Sequence, residues 1–216
     1  RANMASLKAL QTFSTGKMVA EAYRMAAEIS SPHIDDIRND FVRSLNMVIP
    51  QYVNAGMSDQ VKELYRLGYE ESKKNLALHP FDIRTHLQFA QLIQQGVMAL
   101  KEPAQSLAEA ETVLKDAFVK SPKRQQIVYQ LAMLELLMKK PNEAASLLQT
   151  AIADDNKIGE GWWRLALVYL QSGNIEEAEK TIKTAQDAGV DFDNNGLEVI
   201  SMISQASEEA SGKKNK

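Results

Sequence analysis

The 216-residue sequence contains no cysteine, which removes disulfide scaffolds, thiolate metal sites and cysteine nucleophiles without deciding the redox compartment. Surplus charge is also scarce. A formal net charge of −3 leaves no broad basic surface for a phosphate backbone, so nucleic acid is not expected as a partner. No apolar run approaches the ~18 residues of a membrane-spanning helix, and direct membrane insertion of this segment is not expected. The three histidines, His33, His79 and His86, are scattered without H-E-x-x-H spacing. The glycines form neither G-x-G-x-x-G nor G-x-x-x-x-G-K-[ST]. No catalytic residue, metal ligand or cofactor is therefore expected. The chain opens on RANMASLKAL, with no initiator Met and no signal-peptide pattern, and so reads as a portion of a longer protein whose targeting or anchoring lies elsewhere.

What is present is 44% hydrophobic residues, enough for a sizeable core, and an internal repeat. Shifting the chain by 34 residues superposes Leu131 on Leu165, Ala132 on Ala166, Ala144 on Ala178, Leu148 on Ile182 and Ala151 on Ala185. Small residues at a fixed period suit helices that cross closely, with Leu165, Tyr169 and Ile182 filling the space beside them.

The stretch WWRLALVYLQSGNIEEAEKTIKTA, with Trp162, Leu165, Ala166, Tyr169, Ala178, Ile182 and Ala185 in the signature places, resembles the tetratricopeptide repeat, W-x-x-L-G-x-x-Y followed by A-x-x-x-F-x-x-A. The resemblance implies an all-α fold, an α-solenoid of about five helical hairpins closed by a C-terminal capping helix. A proline often closes such a repeat, and Pro32, Pro80 and Pro122 are so placed, 48 and 42 residues apart, or 14 and 8 beyond the period. This predicts a degenerate hairpin over 1–32 and an elongated one over 33–82. Three repeats then follow, 83–124 with an inserted loop in VMALKEPAQS, 125–158 and 159–192, before a capping helix over 193–210 and a frayed tail over 211–216. Pro50 is expected to end or kink its helix.

In this family the fifth, ninth and twelfth positions of the first helix of each hairpin face a concave groove. The resemblance so places Leu87, Gln91 and Gln94, with Arg84 and Gln95 nearby, then Tyr129, Met133 and Leu136, then Trp163, Leu167 and Leu170. Trp162, at the fourth position, is the expected core aromatic, and Trp163 the exposed one. Such a surface suits a peptide or protein segment, making the chain a non-catalytic scaffold. The alternative is that these apolar residues pack on the capping helix or on a neighbouring chain, which leaves room for a homo-oligomer. The two-carboxylate clamp by which some members hold chaperone termini is not expected. Where it needs cations and amides, this chain has Leu87, Gln91, Gln130 and Glu160, and only Arg164 fits.

Two further motifs have simpler readings, and a third widens the resemblance. DFDNNG, Asp191 to Gly196, begins like a calcium loop, but its twelfth position is Met202, and Asp and Asn are ordinary helix caps. Acidic pairs such as Asp35 with Asp36 and Glu176 with Glu177 open helices, as the helix dipole favours. The phrase His79 to Ala90, HPFDIRTHLQFA, is similar to the N-P-x-D-x-R-T-x-x-x-x-A of soluble carboxyl-terminal regions in bacterial O-antigen ligase or polymerase-like membrane proteins. That resemblance implies a polytopic inner-membrane parent of envelope glycan assembly, with this chain as its accessory domain and the catalytic residues in membrane loops outside it.

Overall fold

The computed structural model describes residues 23–24 and 33–214; the hairpin expected over 1–32 lies otherwise outside the described residues. Among them there are nine α-helices and no strand: α1 (Ile34–Asn54), α2 (Ser58–Leu78), α3 (Ile83–Leu100), α4 (Leu107–Lys120), α5 (Gln125–Leu137), α6 (Pro141–Asp154), α7 (Gly159–Gln171), α8 (Ile175–Asp187) and α9 (Asn194–Lys214). The fold is all-α, of the α-solenoid class. Consecutive helices pair as antiparallel hairpins, α1 with α2, α3 with α4, α5 with α6 and α7 with α8, and the chain divides into two compact units, 1–122 and 123–216.

Local chemistry sets many of the boundaries. Pro141 sits in the first turn of α6, where its missing N–H has no partner to lose. The short turns after α7 and α8 carry Gly173 and Gly189 at φ 80° and 71°, a left-handed backbone that glycine adopts without strain. Asp82 caps α3 by accepting the Arg84 N–H at 3.0 Å.

In the first unit, α1 and α2 are each 21 residues long, which takes up the extra length seen in the proline spacing. Pro50 does not end α1; it lies within the helix, which continues to Asn54. Their core joins Phe41, Leu45, Ile49, Val61, Leu64, Tyr65 and Leu92, and the Tyr23 ring stacks on Phe41 with centroids 3.8 Å apart. The segment expected to loop over 97–106 is shorter in structure. Helix α3 runs on through Val97 to Leu100, buries Leu100, and stops where Lys101 turns left-handed. A 3-10 turn over Ala104–Ser106 then leads into α4.

In the second unit, α5, α7 and α9 are successive first helices, here called A, and α6 and α8 are the second helices, B. Each B helix packs on its own A helix and on the next: α6 on α5 and α7, α8 on α7 and α9. Ala132, Ala144, Ala166, Ala178 and Ala185 are completely buried, so the small residues do lie at close crossings. Helix α9 extends to Lys214, beyond the expected start of a tail at 211.

Candidate functional site

The A-helix face of the second unit is built on α7. Arg164 lays its guanidinium over the Trp163 ring, 4.4 Å from its centroid, and 5.6 Å from that of Tyr129 on α5. Its Nε and Nη2 both donate to Glu160 Oε1, at 2.9 and 2.6 Å. The Tyr129 hydroxyl donates to Gln125, and burial, with the Glu160 charge nearby, pushes its phenol up to about 12. Met133, Leu136, Leu167 and Leu170 are half-buried on the same helices.

The two tryptophans correct the sequence expectation. Trp163, expected to stand open, is only 5% exposed and joins Val199 and Ile203 of α9 in one cluster. Trp162, expected in the core, is half-buried at the rim, its indole N–H donating to the Asn156 carbonyl at 3.0 Å. The reason is α9, which packs on α7 as α7 packs on α5, so that the fifth position becomes an internal one. Gly196 permits this. A Cβ at that position would lie 2.9 Å from Trp163 Cδ1. Tyr129 is likewise buried rather than open, packed under Arg164 and facing Gly161, where a Cβ would come within 3.5 Å of its hydroxyl. Both rings thus form the floor of this face.

Two members of the face were not singled out from sequence. In the sequence, Arg164 and Glu160 figure only as positions of a carboxylate clamp that Glu160 disfavours. Leu197, 56% exposed on α9, is the counterpart of Trp163 one period later, a relation the 34-residue shift contains.

The first unit places the other expected residues on α3. Gln91 is exposed, Leu87, Gln94 and Gln95 are half-buried, and Gln94 Nε2 is buried without a partner. Arg84 is half-exposed and donates to Asp36 and Asp82, both at 3.2 Å. The phrase that carried the membrane-enzyme resemblance has a local role here. Asp82 accepts from Asn39 at 3.2 Å and from the Thr85 hydroxyl at 3.1 Å, and that hydroxyl also lies 3.0 Å from Asn39 Oδ1. His86, almost fully buried, lies 2.9 Å from the Asp82 carbonyl and 3.0 Å from Asp116 of α4. These residues tie α3 to α1 and α4. Burial pushes the Asp82 carboxyl up, but the Arg84 and Thr85 hydrogen bonds outweigh it and hold the group below the usual range. Beside this network a recess of about 590 Å³ is bounded by Asp35, Leu78, His79, Pro80, Phe81 and Asp82.

Asp193 of the calcium-loop-like segment accepts the Gly196 N–H at 2.8 Å, a helix-capping role. Among the described residues no group of three or more potential ligands is gathered for a metal, and no helix is long and apolar enough to cross a membrane.

Residues 135–195 match the family model described as tetratricopeptide repeat. Among solved structures, the chain is similar to TTC0263, a thermophilic TPR protein of Thermus thermophilus, at 17% identity and a TM-score of 0.56, covering 95% of this chain and 98% of that one. It is also similar to a MamA fragment from Desulfovibrio magneticus RS-1, at 15% identity and a TM-score of 0.53, covering 86% and 93%. At these identities the likeness concerns the fold. No curated protein matches the sequence.

Proposed function

We propose that this tetratricopeptide-repeat chain is a non-catalytic scaffold that binds a peptide or protein segment on the A-helix face of its second unit. The fold itself supports protein interaction in general. The observation that carries the finer reading is the composition of that face: Arg164, paired with Glu160, lies over an aromatic floor of Tyr129 and Trp163, and α5, α7 and α9 also carry Met133, Leu136, Leu167, Leu170 and the exposed Leu197. Apolar side chains around one oriented ion pair favour a segment with apolar anchors and one polar group to fix its register. Arg84, Leu87, Gln91 and Gln94 offer a more polar, amide-bearing surface in the first unit for a separate contact. The reading of the chain as an accessory domain of a membrane glycan enzyme gains no support from His79 to Ala90, because Asp82, Arg84, Thr85 and His86 are accounted for by the ties among α1, α3 and α4.

The test is selection of peptides from a display library on the intact chain, followed by measurement of the selected peptide on Met133→Glu and Arg164→Ala. Both variants should lose affinity by about tenfold or more while retaining the wild-type helical circular dichroism. Undiminished binding by both would remove this face as the site.

A further inference from the structure

The Arg164–Glu160 pair uses only part of its hydrogen-bonding capacity. Arg164 gives its Nε–H and one Nη2–H to the same oxygen of Glu160, Oε1, at 2.9 and 2.6 Å. A guanidinium carries five N–H groups and a carboxylate two accepting oxygens, so the Nη1 group, the second Nη2–H and Glu160 Oε2 are left over. Among the described residues no other side chain hydrogen-bonds to either member. The two side chains are 23% and 36% exposed, and the spare atoms are not buried ones. The pair is also held in place. Its members stand one turn apart on α7, and the guanidinium lies 4.4 Å from the Trp163 ring centroid and 5.6 Å from that of Tyr129, both rings being buried. A donor and an acceptor are thus presented next to each other over an apolar floor, separated by little more than the width of one carboxyl group.

Few chemical groups satisfy both at once. A carboxylate accepts from the guanidinium but brings a second negative charge to Oε2 and no proton to share; an ammonium donates to Oε2 but meets the guanidinium charge. A main-chain peptide group is neutral, yet its trans geometry turns C=O and N–H to opposite sides, so it reaches one partner at a time. A primary carboxamide is neutral and carries its C=O and an N–H along one edge. We infer that the A-helix face reads an Asn or Gln side chain of its partner segment, the amide oxygen accepting from the Arg164 guanidinium and the amide N–H donating to Glu160 Oε2. This identifies the polar group that fixes the register of the bound segment, and it rests on the peptide-binding reading of that face.

The probes are peptides selected on the intact chain from a random display library. Those whose binding is lost in Met133→Glu are ligands of this face, and they should share an Asn or Gln at one position. A synthetic peptide of the commonest such sequence is then made in four versions, with the selected amide, its acid counterpart, Lys or Met at that position, and measured by fluorescence anisotropy. On the wild-type chain the amide version should bind about tenfold or more tightly than each of the others. Glu160→Gln removes the charge that repels an acid and should turn the preference to the acid version. Arg164→Met leaves Glu160 without its cation and should turn it to the Lys version. A purely structural role for the pair would weaken all four versions alike, and should either variant fail to fold, the wild-type ranking still decides. Met133-sensitive peptides that share no Asn or Gln, an amide version no tighter than the acid or Met version, or a ranking unchanged in both folded variants overturns the inference and leaves the face as a binding site. Absence of any Met133-sensitive peptide removes the face and this inference with it.

Discussion

At the scale of single residues, the paired tryptophans separate what periodicity determines from what packing adds. Neighbouring positions on a helix point about 100° apart, so one of the two must be more enclosed, and the family register assigns that role to Trp162. The structure gives it to Trp163, because α9 covers the fifth position and Gly196 opens space for the ring. Trp163→Ala should therefore cost about 3–5 kcal/mol, and Trp162→Ala, at a half-buried rim, about 1 kcal/mol. Fluorescence checks the ranking. In Trp162→Phe the remaining Trp163 should emit at short wavelength and resist iodide, whereas Trp162 alone in Trp163→Phe should be quenched; the opposite pattern would restore the open groove. Gly196→Ala probes the same contact from the other side. Its Cβ would meet Trp163 Cδ1 at 2.9 Å and Phe192 Cβ and Cδ1 at 3.0 Å, so overpacking should lower stability by about 1–3 kcal/mol, and an unchanged melting temperature would contradict the close approach of α9.

At the scale of helices, legibility followed regularity. The hairpins of α5 to α8 were readable because Ala132, Ala144, Ala166 and Ala178 recur at one period, and a close helix crossing admits little else. Ala178→Leu puts extra volume into a site with no exposed surface and should cost about 1–3 kcal/mol, read as a fall in melting temperature. In the first unit the period is broken, and the extra length in α1 and α2 is absorbed by continued helix. There an apolar core is supplemented by polar joins between elements, and spacing alone does not reveal those. Asp82 is the centre of one such join, serving Asn39 of α1 as well as its own helix end. Asp82→Ala should lose about 2 kcal/mol through the cap and the orphaned Asn39 and Thr85 partners, and Asp82→Asn should recover part of it. An Asp82→Ala protein as stable as wild type would show that α1 and α3 hold together through apolar contacts alone. The 8-residue excess over the period assigns Val97 to Leu100 to an inserted loop, yet Leu100 has a core site to fill and the helix persists until Lys101. The candidate site was legible as a face and not as a set of exposed groups, because exposure depends on α9, whose packing the repeat pattern of α7 does not specify.

At the scale of the whole molecule, the two units differ in how they are held and should differ in their response to acid. Glu71, Asp82 and Asp116 all belong to the first unit. Burial pushes the Glu71 carboxyl up, but Lys74 and Arg38, the latter at 2.8 Å, outweigh it and hold the group below the usual range. The hydrogen bond from Lys120, with that from His86, does the same for Asp116. A carboxyl whose folded pKa is depressed contributes stability that is present above its unfolded value of about 4 and is lost as pH falls through the folded value. Acid should accordingly release α1 to α4 before α5 to α8, whose buried residues are mostly alanines and aliphatic side chains that do not titrate, with Glu135, paired to Lys140, the buried carboxylate among them. Hydrogen exchange followed by mass spectrometry on the intact chain at a series of pH values from about 6 to about 3, corrected for intrinsic exchange rates, reads this segment by segment. Residues 34–120 should lose protection at the higher pH, and Glu71→Gln should make their protection less dependent on pH while leaving 125–187 unchanged. Loss of protection in both units at one common pH, or in α5 to α8 first, would mean that these ion pairs are not what distinguishes the first unit's stability.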